Sequence, residues 1–233
     1  MSLAGQGIVA IWNGIKPEGR AQFYEWHGRE HQPERVGIQG FKRGRRYVAL
    51  RGTPEFFTLY ETESPQVLTG TDYLTRLNNP TPWTKDTTGK YFTEVSRSLC
   101  TVLLSLGDAQ GGLISTWRYD VPDAKAEAHR RWLMHDVLPK LADEMGVAGV
   151  HLAVADRAGS SIETTERKAR TGSTGIPGWV VMVEGWGDDK DFMALCDKAL
   201  PVDAFAAQGA ERPIEAGTYR LQTSRSKTAF APG

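Results

Sequence analysis

Cysteine is almost absent: the 233 residues contain two, Cys100 and Cys196. Both sit in apolar stretches (SLCTVLL and FMALCDKAL) with no metal-type spacing, which argues against a disulfide framework and for two reduced core thiols. An excess of charge is missing too. Lys and Arg number 28, as do Asp and Glu, so there is no general electrostatic drive toward nucleic acid or an anionic membrane. No apolar run approaches the length a bilayer needs. The start, MSLAGQGIVAIWNG, lacks the basic region and small-residue cleavage site of a secretory signal, so a cytoplasmic protein is expected. Phosphate loop, dinucleotide fingerprint, nucleophile elbow and paired-carboxylate glycosidase pattern are all lacking. What remains is 40% hydrophobic and 24% charged, an ordinary globular composition with enough chain for one large domain or two small ones.

Period-2 apolar runs and 3.6-period stretches give the first half the order strand, helix, strand, strand, helix, strand. The strands are placed near Gly7 to Asn13, Phe41 to Arg51, Phe56 to Glu63 and Glu94 to Leu106. The helices are placed near Gly19 to Arg35 and Ser64 to Leu77, and the Pro-rich stretch Asn79 to Trp83 ends the second of them. From Gly112 the order repeats. Strands are expected near Leu113 to Tyr119, Val150 to Arg157, Trp179 to Trp186 and Thr218 to Ser224, and helices near Asp123 to Glu144 and Asp188 to Ala199. GIVAIWN answers GLISTWR, so that Trp12 matches Trp117, and Trp26 with Pro33 answers Trp132 with Pro139. A duplicated βαββαβ unit follows, with repeats expected over 1–108 and 109–233 and a polar insertion at 158–177 that is either a lid or disordered.

A four-stranded antiparallel sheet with helices on one face leaves its other face apolar and uncovered, so each unit needs a partner. GIVAIW and WVVMVEGW are apolar on both parities, as expected of strands buried on both sides. The two sheets are therefore expected to pair into a small barrel around a central cavity.

The segment Trp26-His27-Gly28-Arg29-Glu30-His31-Gln32-Pro33-Glu34-Arg35, followed by Gly40-Phe41, resembles the first helix and second strand of EthD-like proteins of the dimeric α+β barrel superfamily. The resemblance implies an α+β chain of two ferredoxin-like repeats whose antiparallel sheets form a pseudo-dimeric barrel. That superfamily holds cofactor-free cyclases, isomerases, decarboxylases and monooxygenases as well as haem enzymes, so fold is narrowed more than reaction. An intramolecular pseudo-dimer closes its barrel without a second chain, while leaving a homodimer open.

Polar residues present in one copy alone are the candidates for chemistry. His27 and His31 lie one helical turn apart beside Glu30, where the second copy has Leu133 and Val137. On the second strand Arg43, Arg45 and Tyr47 share one parity, against Leu152, Val154 and Asp156. If that face looks into the cavity, the guanidiniums hold an anionic or aromatic substrate while Tyr47 and a histidine exchange protons with it. Trp12 and Trp83 are expected to line the site, Trp83 from a loop at its mouth. The expected activity is lyase, isomerase or cyclase chemistry on a small molecule, with no cofactor and no metal. The same cavity would equally serve a non-catalytic carrier or sensor.

Two further readings compete. His27-x-x-Glu30-His31 matches the H-x-x-E-H pattern of inverted zinc peptidases, although no third ligand is evident. Some tandem α+β barrels hold haem through a histidine of the second copy, for which His129 and His135 are the candidates.

Overall fold

The computed structural model describes residues 2–170 and 174–227. In the first repeat, strand β1 (Gly7–Ile15) leads through α1 (Arg20–Trp26), a π turn (His27–His31) and α2 (Gln32–Gly37) to the hairpin β2 (Phe41–Arg51) and β3 (Phe56–Thr62). Helices α3 (Thr71–Asn78) and α4 (Pro82–Tyr91) then precede β4 (Phe92–Leu106). The second repeat runs β5 (Leu113–Asp120), α5 (Asp123–Arg131), a π turn (Trp132–Val137), α6 (Leu138–Ala142) and β6 (Val147–Ala155). An insertion carries α7 (Arg157–Ser161), α8 (Thr165–Ala169) and the two-residue β7 (Thr174–Gly175). The chain ends on β8 (Trp179–Gly185), α9 (Asp189–Ala199), α10 (Val202–Ala207) and β9 (Glu211–Ser226).

The strand order is β1-β3-β2-β9-β5-β8-β6-β4, and β4 pairs with β1 to close an eight-stranded antiparallel barrel. Each repeat contributes four neighbouring strands, and the seams are β2 with β9 and β4 with β6. This is the expected pair of ferredoxin-like sheets joined in one chain. Among the described residues no helix is long and apolar enough to cross a membrane.

Strand registers correct one detail of the repeat. Ile8 pairs with Glu61 and Ile114 with Glu184, so Trp12 corresponds to Arg118, not to Trp117. A one-residue slip exchanges the faces of a strand: Trp12 packs inside the barrel, whereas Trp117 joins the helix-facing core of the second repeat. By the same registers Arg43, Arg45 and Tyr47 correspond to Gly149, His151 and Ala153.

Both long helices widen into a π turn just before a proline. Pro33 and Pro139 have no N–H to donate, and their rings crowd the carbonyl four residues back. The helix accommodates this by closing one residue later: the Gln32 N–H reaches the His27 carbonyl, and the Leu138 N–H reaches that of Leu133. The spacing from Trp to Pro seen in the sequence thus encodes the same distortion in each repeat.

Besides α7 and α8 of the insertion, two helices escaped the sequence reading. α4 begins at Pro82, where proline is tolerated in a first turn, and Thr81 caps it by accepting from the Thr84 N–H. The Pro-rich stretch is a helix start as well as a helix end. α10 likewise follows Pro201.

Candidate functional site

Among the described residues the barrel interior is packed with side chains, which corrects the expected central cavity. Ile8, Ala10, Trp12, Phe57, Leu59 and Met182 fill it side chain against side chain. The Trp12 indole stacks on Phe57 at 4.9 Å and donates to Thr116 Oγ1 at 3.2 Å, so Trp12 is core and not a ligand wall.

Arg43 and Arg45 do point inward, but onto carboxylates. Arg43 donates to Glu61 at 2.8 and 2.6 Å and to the Ser2 carbonyl at 2.6 Å. Arg45, fully buried, donates to Glu61 at 2.9 Å and forks onto Glu184 at 2.6 and 2.9 Å. His151, the counterpart of Arg45, lies 3.3 Å from Glu184 and hydrogen-bonds with Ser2 and Ser105. Burial pushes the Glu184 carboxyl up, but hydrogen bonding to His151 and the charge of Arg45 outweigh it and hold the group at about 2. The two guanidiniums are thus committed to structural carboxylates, and the expected substrate clamp is corrected to a buried network that ties the two repeats together. Tyr47 lies between Arg45 and Phe57, and burial pushes its phenol far above the usual range. It is a neutral phenol at neutral pH.

The histidines lie on the other side of the sheet, between it and the π turn. Because the π turn faces inward, His27 and His31 are 3% and 6% exposed. Their ring centroids are 5.6 Å apart, His31 packs on Trp26 at 4.3 Å, and Tyr60 meets the edge of His31 at 6.3 Å. Phe23 covers His27 at 5.4 Å. Glu30 points away toward α4, where it accepts from Thr81 Oγ1 at 2.6 Å and Thr84 Oγ1 at 3.2 Å, while Thr84 Oγ1 accepts from the Trp26 indole at 3.1 Å. Glu30 therefore positions the π turn against α4. Trp83 is half-buried on α4 against the Phe23 and Trp26 cluster, not on a loop at a cavity mouth.

The strands place Asn13, Arg46, Thr58 and Tyr60 on the parity opposite to the barrel-filling residues, facing these imidazoles. Among the described residues, Asn13 Nδ2, His27 Nδ1, His31 Nδ1, Arg46 Nη1 and Tyr60 Oη are buried without a protein hydrogen-bond partner. Buried polar atoms are seldom left unmatched, because each orphan costs on the order of 1–3 kcal/mol. Three on the sheet face and two on the π turn above it leave a polar region without internal partners, free to hydrogen-bond a polar molecule. The barrel interior contributes the hydroxyls of Tyr47 and Tyr219, two buried phenols.

Burial lowers the pKa of both histidines well below 6.5, with Arg46 and Arg35 adding to it at His27, and Arg35, His27 and Arg170 at His31. Both are therefore neutral at pH 7, with a ring nitrogen free to accept a hydrogen bond or a proton.

The insertion of the second repeat roofs this region of the first. Glu166 on α8 is gripped by Arg35 of α2 and, at 3.0 Å, by Arg170. The Ser160 hydroxyl accepts from the Leu99 N–H at 2.9 Å, and the Thr165 N–H donates to Asn78 at 3.1 Å. The open volume of the cleft beneath is about 20 Å³, room for one water. Of the insertion expected over 158–177, residues 171–173 lie outside the described residues; the rest carries α8 and β7, and residues 159–170 of it line the cleft or pack on the first repeat.

The zinc and haem readings do not fit these residues. Glu30 is held by two threonine hydroxyls, and among the described residues no three His, Cys, Asp or Glu side chains converge. His129 spends one ring nitrogen on the Tyr119 hydroxyl and the other on the Gln208 carbonyl, both at 2.9 Å, and His135 faces solvent.

Asn13, Arg46, Tyr60, Arg97, Glu166 and Arg170 were not singled out from the sequence. Asn13 had a readable signal, a lone amide in an apolar strand. Arg46 was masked by Arg43 and Arg45 beside it, on the opposite parity.

No family model matches the chain, and no curated protein sequence matches it. In structure it is similar to an anthrone oxidase-like protein, with a TM-score of 0.63 at 15% identity over 97% of this chain and 95% of the other. A protein provisionally named a monooxygenase, from Fusobacterium nucleatum, superposes with a TM-score of 0.59 at 9% identity over 97% and 96% of the two chains. Another of that provisional name, from Lactobacillus acidophilus, gives 0.56 at 11% identity over 95% and 96%. At these identities the likeness establishes fold, that of the dimeric α+β barrel proteins. The names attached to it denote oxygen chemistry, and they overturn the expectation of lyase, isomerase or cyclase chemistry.

Proposed function

We propose that the chain is an enzyme that uses dioxygen to oxidise an electron-rich aromatic compound, a phenol or its keto tautomer, at the His27 and His31 face of the first repeat. The observation that carries this reading is the group of unmatched polar atoms around two neutral imidazoles. Phe23, Trp26 and Phe56 supply an aromatic wall for a planar substrate. The EthD-like character of the segment from Trp26 to Arg35 belongs to the same reading, because that segment carries both histidines.

In the step proposed, His31 removes a proton from an activated C–H of the substrate, and the electron pair left behind delocalises onto the ring oxygen. Tyr60, Asn13 and Arg46 donate to the oxyanion that forms. The carbanion is oxidised and dioxygen reduced: one oxygen atom stays on the carbon as a carbonyl, and the other leaves as water with the two hydrogens the carbon has lost. For anthrone this balances as CH2 + O2 giving C=O + H2O. The cleft under the α8 roof, which adjoins this face without being lined by either histidine, has space for one water, so a molecule of this size reaches the site only if the roof moves.

The test is oxygen uptake with anthrone as probe. A general base contributes roughly 10²–10⁴-fold, so His31→Ala is expected to lower uptake by at least about a hundredfold with the fold intact by circular dichroism. Uptake unchanged in the His27→Ala, His31→Ala double variant overturns the proposal. Tight binding of anthrone with no uptake assigns the site instead to a carrier.

A further inference from the structure

Beside the imidazoles, the cleft under the insertion carries more positive than negative charge. Its wall is apolar on one side, with Leu68, Leu77 and Leu99, and carries Arg97, Arg167 and Arg170 on the other. Glu166 is the carboxylate that faces them, and it is shared with Arg35. Arg35 has a second partner in Glu34 at 3.2 Å, but Glu34 also serves Arg76 at 3.1 Å. The remaining contacts are to neutral groups: Arg97 donates to the Tyr73 hydroxyl at 2.9 Å and Arg167 to the Ser160 carbonyl at 3.1 Å. Five guanidiniums thus answer two carboxylates. Arg170 Nε, in a side chain 9% exposed, is among the buried atoms with no partner. A buried guanidinium that shares its carboxylate with another and keeps an unmatched N–H is costly, and a carboxylate ligand relieves that cost through charge-assisted, fork-like hydrogen bonds.

We propose that Arg97 and Arg170 form an anion subsite of this cleft, and that the ligand it takes is an aromatic acid whose carboxylate displaces Glu166 while its ring lies on the leucine wall. The inference rests on the reading of the first-repeat cleft as the reactive site and names its substrate class. Arg35, which grips Glu166, lies one helical turn beyond His31, so the subsite adjoins the element that carries the proposed base. Displacing Glu166 from Arg35 and Arg170 also releases the ion pairs that hold α8 over the cleft, so the same anion would open the roof.

The test compares 1-hydroxy-2-naphthoate with its neutral amide, 1-hydroxy-2-naphthamide, by titration calorimetry on the full chain. Charge-assisted hydrogen bonds are the stronger kind, so the acid is expected to bind at least about tenfold more tightly. Arg97→Gln and Arg170→Gln are each expected to reduce that preference severalfold, and Glu166→Gln, which removes the competing carboxylate, to tighten the acid. Equal binding of acid and amide to the wild-type chain overturns the subsite even if the variants fail to fold, as does weaker binding of the acid to Glu166→Gln. Preference for the acid without oxygen uptake leaves the subsite standing and removes the oxidation. Uptake of oxygen with anthrone, without preference for the acid, does the reverse.

Discussion

Replacing His27 by Leu and His31 by Val installs the residues that the second repeat carries at these positions, Leu133 and Val137, and removes both imidazoles from the first. In the folded chain burial holds both histidines well below the ordinary value of 6.5, whereas the unfolded chain titrates them near it. Between those values the unfolded state binds more protons than the folded one. Stability is therefore complete above about pH 6.5 and falls as the pH drops. Each histidine contributes a slope of about 1.4 kcal/mol per pH unit once the window is fully entered, so the pair contributes about 2.7 kcal/mol per unit. That is a large share of a typical domain's total of roughly 5–15 kcal/mol. Urea unfolding at pH 8, 7, 6 and 5.5 measures it. The wild-type chain is expected to lose stability steeply below pH 6.5, and the double variant to lose less by nearly that slope. His129, whose pKa burial also lowers, is present in both chains and cancels. Parallel curves for the two chains would refute the claim that the imidazoles are buried and uncharged.

Three further outcomes are expected. Arg45→Met removes three charge-assisted hydrogen bonds from Glu61 and Glu184 inside the barrel, leaving Glu61 to Arg43 and Glu184 beside His151, and is expected to cost about 3–5 kcal/mol in urea unfolding; a loss below about 1 kcal/mol would mean that the network is not what ties the repeats. Gly44→Ala places a methyl 2.7 Å from the Tyr60 ring, and an overpacking loss of about 1–3 kcal/mol should come with weaker anthrone binding, because Tyr60 must shift into the cleft. Burial pushes the Cys100 and Cys196 thiols up to about 12 and about 11, so neither should react with a thiol reagent at pH 8 until the chain is unfolded, when both should.

Much of the architecture was legible because hydrophobic period survives without knowledge of tertiary contacts. Strands such as Trp179–Gly185 are apolar on both parities because one face meets the barrel interior and the other the helices. The register was not legible. Trp12 and Trp117 look equivalent as letters, yet they face opposite sides of their sheets, and only the pairing of Ile8 with Glu61 and of Ile114 with Glu184 reveals the slip. The contrast between the copies at His27 and His31 was readable because the Trp-to-Pro spacing fixes their alignment through the π turns. The contrast drawn on β2 used the wrong partners. Arg45 answers His151, and both residues bind Glu184, so what looked like a one-sided polar face is half of a pseudo-symmetric structural device.

Hydrogen-bond satisfaction separates the two polar groups of the first repeat more sharply than residue type does. Arginines and glutamates in a barrel suggest a substrate clamp until their partners are traced; each nitrogen of Arg45 goes to Glu61 or Glu184, and Arg43 gives its Nε and Nη2 to Glu61 and the Ser2 carbonyl. The histidines suggest core residues by burial alone, yet they and their neighbours Asn13, Arg46 and Tyr60 carry the unmatched atoms. Duplication explains how such a costly arrangement persists. Each repeat has a helix-facing cleft, and the second is filled by Trp117, Leu133, Leu138, Cys196 and Phe205, an apolar core of the kind that stabilises. That repeat also supplies the insertion whose Glu166 closes over the first. One unit thus provides packing and a roof, while the other keeps a strained polar pocket that would weaken a free-standing module of this size.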